Sequence, residues 1–333
     1  MKQKIKKGAK YLILLVIVAI VGLLGFVSFA LPDVGDPENI NVELTAKRIE
    51  RGRYLANSVN ACLDCHSKRD WTKLGGPVME GTFGQGGQEF NQEFGLPGKF
   101  YSKNITPFAL KDWTDGEILR AISTGVNKDG KALFPLMPHP NYGKSDREDL
   151  YSIIAYIRTL EPIENIVPES EPDFPMNFII NTIPQKAQFT RIPEQSNPAA
   201  YGAYIFNSAD CIGCHTQREK GDPVPGLELA GGYEFNMPGG GVVRSANITP
   251  DMETGIGSWT EEFFVNRFKT YADSTYKPAD VKPGEFNTVM PWLMFGTMKQ
   301  EDLKAIYAYL RTVKPVKNKV IKFSPEQINL TQH

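Results

Sequence analysis

All four cysteines of the 333-residue chain fall in two copies of one pentapeptide, Cys62-Leu63-Asp64-Cys65-His66 and Cys211-Ile212-Gly213-Cys214-His215. Thiols three positions apart can bond the two vinyl groups of one porphyrin. A histidine directly after the second thiol brings its imidazole under the iron as proximal ligand. The pattern C-x-x-C-H is therefore an attachment signal for c-type haem. The expected covalent positions are Cys62, Cys65, Cys211 and Cys214, the proximal ligands His66 and His215, and the cofactors two covalently bound haem c groups. Other uses of C-x-x-C fit less well. A structural zinc site sets its two pairs about 12–20 residues apart, whereas Cys62 and Cys211 are 149 positions apart. A thioredoxin-like motif does not need the histidine, and a disulfide over two intervening residues makes a strained loop.

The pentapeptide sits in a longer repeat, which sets out the elements that must position it. Glu50-Arg51-Gly52-Arg53-Tyr54-Leu55 matches Ala200-Tyr201-Gly202-Ala203-Tyr204-Ile205, each a short helix leading into the motif. Then follow Gly86-Gly87-Gln88-Glu89-Phe90-Asn91 and Gly231-Gly232-Tyr233-Glu234-Phe235-Asn236, Asn104-Ile105-Thr106-Pro107 and Asn247-Ile248-Thr249-Pro250, and Trp113-Thr114 and Trp259-Thr260. Each copy closes with Met-Pro (Met137-Pro138, Met290-Pro291) and, twelve residues on, Asp-Leu (Asp149-Leu150, Asp302-Leu303) inside terminal helices expected at about 146–160 and 299–313. Capping boxes are expected at Thr114 with Glu117, Ser145 with Glu148 and Thr297 with Gln300. Strand signals are sparse and the reading is all-α and loop-rich. Gly52 and Gly202 are the expected points of close approach between N-terminal and terminal helices, against Tyr156 and Tyr309. Trp113 and Trp259 read as core. Asn104 and Asn247 match the glycosylation pattern, but their repetition at one place in both copies argues for a structural loop that lines the haem pocket and bonds to backbone or a propionate.

Residues 1–10 hold five lysines and no acid, a basic cytoplasmic stub, and residues 11–32 carry no charge. That run is long enough to cross a bilayer as a helix, and the lysines hold its N-terminus inside. The remainder is then extracytoplasmic, where c-type haem is attached. Ser28-Phe29-Ala30 also resembles a cleavage site, but secretory apolar regions span only about 7–15 residues, which favours a retained anchor. Beyond the anchor the chain carries 32 basic and 38 acidic residues, a net of −6, which gives no support to nucleic-acid binding and suits docking to a basic redox partner. Residues 161–198 hold seven prolines, a semi-rigid linker placed at 163–197. Its middle, Phe174-Pro175-Met176-Asn177-Phe178-Ile179-Ile180, is more apolar than a free linker and is expected to pack between domains or against a partner. The domains fall at 46–162 and 198–316, with a tail at 317–333.

The order Gly-x-Tyr, C-x-x-C-H, Asn-Ile-Thr-Pro, Trp-Thr, Met-Pro and an Ala-Tyr-bearing terminal helix resembles class I cytochrome c. More narrowly, residues 47–315 look like the multihaem cytochrome c subunit of bacterial membrane-bound alcohol and gluconate dehydrogenases. Two departures stand: that family generally carries three haem motifs, and Ala109-Leu110-Lys111-Asp112 replaces the Gly255-Ile256-Gly257-Ser258 that precedes the second tryptophan. The resemblance implies two tandem class I cytochrome c domains after one N-terminal transmembrane helix, with a methionine as sixth iron ligand on the loop before each terminal helix. The matching residues are Met137 and Met290; the offset of 153 shared by Met-Pro and Asp-Leu selects Met290 over Met237, Met252, Met294 and Met298, and Met79 lies too near His66. His139 is a rival ligand in principle, but its partners in the second copy are Trp292 or Leu293, so it reads as a loop side chain near the haem edge; His333 reads as a disordered end.

The expected protein is a membrane-anchored dihaem cytochrome. It would pass single electrons between a respiratory dehydrogenase or quinol-oxidising complex and a downstream acceptor, and it would need no acid–base residue of its own. Two alternatives remain: a peroxidase-like dihaem enzyme with one open iron, and a haem subunit of a terminal oxidase complex. A thiosulfate-oxidising dihaem enzyme would want a cysteine ligand, and none is spare.

Overall fold

A computed structural model describes residues 2–219 and 221–325; His333 and the last part of the expected tail lie outside them. The chain opens with helix α1 (Lys2–Phe29), whose stretch Lys7–Phe29 has a mean hydropathy of 3.1 and lies exposed along its length. By length and composition it could serve as a membrane anchor or a signal sequence.

Two halves of matching layout follow. In the first, α2 (Ala46–Tyr54) runs through a wide π turn at Leu55–Val59 into α3 (Cys62–Cys65). Strands β1 (Glu89–Phe90) and β2 (Gly98–Tyr101), helices α4 (Pro107–Leu110), α5 (Asp115–Thr124), α6 (His139–Tyr142) and α7 (Arg147–Ile157), and strand β3 (Glu171–Pro172) complete it. A short helix α8 (Met176–Ile179) lies between the halves. The second half has α9 (Pro198–Ser208), α10 (Cys211–His215), a β4–β5 hairpin (Arg218–Glu219, Asp222–Pro223), β6 (Glu234–Asn236), β7 (Val242–Arg244), α11 (Glu261–Lys269), α12 (Trp292–Gly296), α13 (Gln300–Leu310) and β8 (Phe323–Ser324).

The expectation of an all-α chain needs a correction. The fold is mostly helical, yet each half also builds a three-stranded antiparallel sheet. Phe90 pairs with Phe100 and Lys99 with Glu171; in the second half Phe235 pairs with Val243 and Val243 with Phe323. These strands are two to four residues long, too short for a period-2 pattern to show in the sequence. In both halves the third strand comes from chain beyond the terminal helix, so the linker and the tail each return to their own half.

Glycine sets the helix packing. A Cβ on Gly52 would lie 1.8 Å from the Ser152 carbonyl oxygen, and one on Gly202 would lie 1.8 Å from that of Ala305. The α2/α7 and α9/α13 pairs therefore meet backbone to backbone, and Leu55, Leu150, Ile154, Ile205 and Leu303, all at most 1% exposed, fill one apolar cluster shared by both halves. Each such side chain contributes roughly 1.5–3 kcal/mol by leaving water. Trp113 and Trp259 border this cluster, as expected of core residues.

The Thr114–Glu117 capping box forms. The other two do not. Asp146, one position nearer the helix than Ser145, caps α7 by accepting from the Glu148 amide, and its second oxygen accepts from Ile192. Thr297 turns away to Ser58 (2.7 Å) and the Met294 carbonyl, and the Lys299 amide at the start of α13 donates instead to the Tyr54 hydroxyl at 3.1 Å.

That last bond belongs to a reciprocal contact between the halves. The Tyr54 hydroxyl donates to Asp302 and accepts from the Lys299 amide. The Tyr204 hydroxyl donates to Asp149 at 2.7 Å and accepts from the Asp146 amide at 3.1 Å. Both carboxylates are buried. Asp149 also accepts from Nε and Nη2 of the Arg51 guanidinium (2.8 and 2.7 Å), while the equivalent partner of Asp302 is the Tyr201 hydroxyl at 2.9 Å. Burial, reinforced by the facing carboxylate, pushes the Tyr54 and Tyr204 phenols well above their ordinary value of 10.0 and Tyr201 up to about 12. A phenol held protonated in the fold but free to ionise when unfolded contributes stability that is complete below about pH 10 and is lost as pH rises past it. The melting temperature, followed by far-UV circular dichroism, is expected to fall above that pH, and less steeply in the Tyr54→Phe/Tyr204→Phe variant. An identical alkaline slope in the two proteins would refute the assignment.

Candidate haem sites

The two pentapeptides sit on matching short helices, α3 and α10, entered in the same unusual way. The residue before each motif, Ala61 in one half and Asp210 in the other, has positive φ (48° and 50°). That conformation is costly for residues with a side chain, and it recurs at the same place in both copies.

Each histidine is then held from behind. His66 Nδ1 lies 2.7 Å from the Lys103 carbonyl oxygen and His215 Nδ1 lies 2.8 Å from that of Ala246. A carbonyl only accepts, so Nδ1 carries the proton and Nε2 keeps its lone pair for a metal. Burial lowers both imidazole pKa values, which favours the neutral, ligating form. The acceptor carbonyls come from the residues just before Asn104 and Asn247, so the repeated Asn-Ile-Thr loops are part of the sites. Asn104 Oδ1 accepts from the Thr106 amide (2.9 Å) and hydroxyl (2.8 Å), and its Nδ2 donates to the Ile163 carbonyl (2.9 Å). Asn247 repeats this with Thr249 (3.0 and 2.8 Å) and the Val316 carbonyl (2.8 Å). Both amides are buried and committed to backbone, as a structural loop requires.

The glycine pairs complete the clamp. Gly86 and Gly231 donate to the carbonyls of His66 and His215, both at 2.8 Å. Both have positive φ, and a Cβ on either would lie 2.4 Å from the carbonyl carbon of Lys103 or Ala246. Gly231→Ala is expected to displace the peptide that holds His215 and so, if each motif carries a haem, to shift the potential of the one at His215 and not that of the one at His66. A redox titration in which both potentials match the parent would refute this.

The methionines expected as sixth ligands occupy matching turns. The His139 amide donates to the Met137 carbonyl (2.7 Å) and the Trp292 amide to that of Met290 (2.8 Å), around prolines with φ/ψ of −76°/56° and −78°/60°. These are inverse γ-turns, and both methionines are half-buried. The rivals lie in different settings: Met237 and Met298 are 1% exposed, Met252 is 65% exposed, and Met294 is inside α12.

His139 departs from its expectation as a loop side chain. It lies on α6, fully buried, with its ring over Gly125, where a Cβ would come within 2.5 Å of the imidazole. Burial lowers its pKa to about 4, and neither ring nitrogen has a hydrogen-bond partner among the described residues.

None of the four cysteines is in a disulfide. Burial, with the neighbouring thiol or carboxylate adding to it, pushes Cys62 and Cys214 up to about 12 and Cys65 to about 11. Burial raises Tyr142 well above its ordinary value, with Cys62, Asp210 and Cys65 adding to it, and Cys65 adds to the burial-driven rise at Cys214. The two motifs thus converge on the contact between the halves, where Asn141 Nδ2 donates to Asp210 (2.5 Å). Beside the first motif, the buried Arg69 pairs with Asp64 at 2.9 Å and stacks on Trp71 at 4.2 Å. The indole Nε1 of Trp71 is buried with no acceptor among the described residues, a donor of the kind a haem propionate would satisfy. Asn287 ties this loop to the second half through Gly75, Trp71 and Lys73. Sequence reasoning missed Tyr54, Tyr204, Arg69, Trp71 and the carbonyls of Lys103 and Ala246. Only the tyrosines had a visible signal, as matched polar side chains two positions after the repeated glycines.

Residues 199–314 match the family model for cytochrome c. The second half is a cytochrome c domain. The chain is also 26% identical over 285 residues to the cytochrome c subunit of a quinone alcohol dehydrogenase from Gluconacetobacter polyoxogenes, covering 80% of this chain and 56% of that one. It is 25% identical over 285 residues to the gluconate 2-dehydrogenase cytochrome c subunit of Pantoea cypripedii, covering 80% and 59%. A diheme cytochrome c-type protein of Cereibacter sphaeroides is 25% identical over 270 residues, covering 77% and 82%. The chain thus spans little more than half the length of the two dehydrogenase subunits. Homology to cytochrome c subunits implies covalently bound haem c and electron transfer, and the cysteines, the Nδ1-anchored imidazoles and the orphaned indole of this chain fit that group.

Proposed function

We propose that this protein is a membrane-anchored dihaem c-type cytochrome built from two tandem cytochrome c domains, at 46–162 and 198–316, after an N-terminal transmembrane helix. One haem is attached to Cys62 and Cys65 with His66 and Met137 as axial ligands, the other to Cys211 and Cys214 with His215 and Met290. Haem iron, when bound, supplies the one-electron chemistry. The chain attaches and orients it, and the thioether ligand holds its potential high. The observation that carries this reading is the duplicated site: the same backbone-anchored histidine and the same Met-Pro γ-turn in both halves. The haem domains lie on the periplasmic side of the inner membrane and exchange electrons with a quinone-linked dehydrogenase, a quinol-oxidising complex or a terminal oxidase. The kinship with dehydrogenase cytochrome subunits favours the first of these.

The test is an optical redox titration of the purified holoprotein, combined with carbon monoxide addition to the reduced form and mass measurement of attached haem. Two low-spin haems inert to carbon monoxide are expected. A high-spin or carbon monoxide-binding haem in the parent protein would overturn the carrier reading in favour of a peroxidase-like site.

A further inference from the structure

The linker between the halves contains a run of twelve residues, 174–185, without a single charge. Helix α8 and the residues flanking it form a two-faced segment. Met176 and Ile180 turn inward onto the apolar cluster of Phe90 and Phe100. Phe174 and Ile179 point outward, 82% and 43% exposed, and the Phe178 ring meets Phe174 edge-on with centroids 6.3 Å apart. Exposed aromatic and aliphatic side chains on an otherwise charged surface call for an occupant.

The position of this face relative to α1 indicates which. The Asn181 side chain donates to the Val27 carbonyl at 3.2 Å, two residues from the end of α1 at Phe29. At 1.5 Å per residue, Val27 lies about 3 Å below that end. The apolar stretch Lys7–Phe29 has 23 residues, about 34 Å of helix, against a hydrocarbon core of about 30 Å. Its upper end, with Phe26 and Phe29 57% and 92% exposed, therefore falls at the boundary between acyl chains and headgroups. The hydrogen bond fixes α8 at that same height.

We infer that the 174–183 segment is a second membrane contact, an interfacial element whose Phe174, Phe178 and Ile179 side chains enter the lipid surface beside the anchor. Uncharged apolar faces flanked by polar residues bind there in proportion to the area they bury. A lone helix leaves the domains free to swing about Leu31 and Pro32; a second contact fixes which side of them faces the bilayer. The inference rests on the anchor reading of α1.

The test uses the full-length holoprotein in phosphatidylcholine–phosphatidylglycerol vesicles. Spin labels are placed singly at Phe174→Cys and Ile179→Cys, with Val18→Cys as a mid-anchor reference and Glu80→Cys as an aqueous one, and an unchanged haem spectrum verifies each fold. Collisions with oxygen, which concentrates in lipid, are compared with those of a water-soluble nickel chelate. Labels at 174 and 179 are expected to favour oxygen several-fold over the chelate, at a depth between the two references. Labels at 174 and 179 matching Glu80→Cys, with Val18→Cys in lipid, would overturn the inference and leave the anchor standing. Shielding from both reagents would also overturn it, in favour of a protein occupant. Chelate access at Val18→Cys would instead remove the anchor reading, and the inference with it.

Discussion

In the Met290→Ala holoprotein one of the two proposed haems is expected to become high-spin and bind carbon monoxide, and the other to stay low-spin. Pro291 centres an inverse γ-turn closed by the Trp292 amide on the Met290 carbonyl, so the methionine is presented by a short, fixed loop and not by a mobile one. Alanine keeps that backbone and removes only the thioether. The nearby alternatives cannot easily take its place, because Met294 is committed to α12 and Met298 is in the core at 1% exposed. Loss of a soft ligand that favours ferrous iron lowers the potential of that haem. The drop is expected to be a sizeable part of the roughly 0.8 V range that axial ligands span. Met137→Ala has the same effect on the other haem, since the neutral, fully buried His139 is pinned over Gly125. Optical titration with and without carbon monoxide reads both. Two unperturbed low-spin haems in Met290→Ala would show that another residue ligates the iron.

The second large effect is on the fold. Gly202→Val is expected to lose about 3 kcal/mol or more, at or above the upper end for overpacked cores. The first atom of the new side chain would fall 1.8 Å from the Ala305 carbonyl oxygen, and that neighbour is backbone inside α13, which has no rotamer to change. Helices α9 and α13 must separate, and Ile205 and Leu303 lose their contacts as they do. A protein whose whole stability is about 5–15 kcal/mol is then expected to show a lower melting temperature and reduced haem content. Gly239→Ala is the control, because its nearest neighbour would be Pro283 Cα at an ordinary 3.8 Å. Normal haem content and melting in Gly202→Val would refute the close-packing account.

These two predictions draw on what the sequence showed best. Cysteine and histidine spacing is local chemistry, and C-x-x-C-H leaves few alternatives. Met290 was singled out as the proposed ligand by its offset in the repeat, and the close approaches at Gly52 and Gly202 were found by their place in matched helices. What could not be read depended on the path of the chain between the copies. The two missed capping arrangements both lose to contacts with distant chain, Asp146 with Ile192 and Lys299 with Tyr54. The strands were hidden by their length, and the carbonyls of Lys103 and Ala246 have no side-chain signature. The apolar linker was singled out as unlike a free linker and expected between the domains or against a partner; its packing on Phe90 and Phe100 of the first half and beside Val27 of α1 is a matter of tertiary placement alone.

The exchange of Tyr54 for Tyr204 and of Asp302 for Asp149 across the two halves has the form of an isologous interface, in which residue i meets j and j meets i. Such pairing ordinarily joins two copies of one subunit, and then its occupancy depends on how concentrated the subunits are. Here one linker turns the encounter into an intramolecular one, governed by an effective concentration on the order of millimolar. The pairing therefore survives dilution. Under the proposed dihaem reading, the two redox centres stay together without either half having to find its mate.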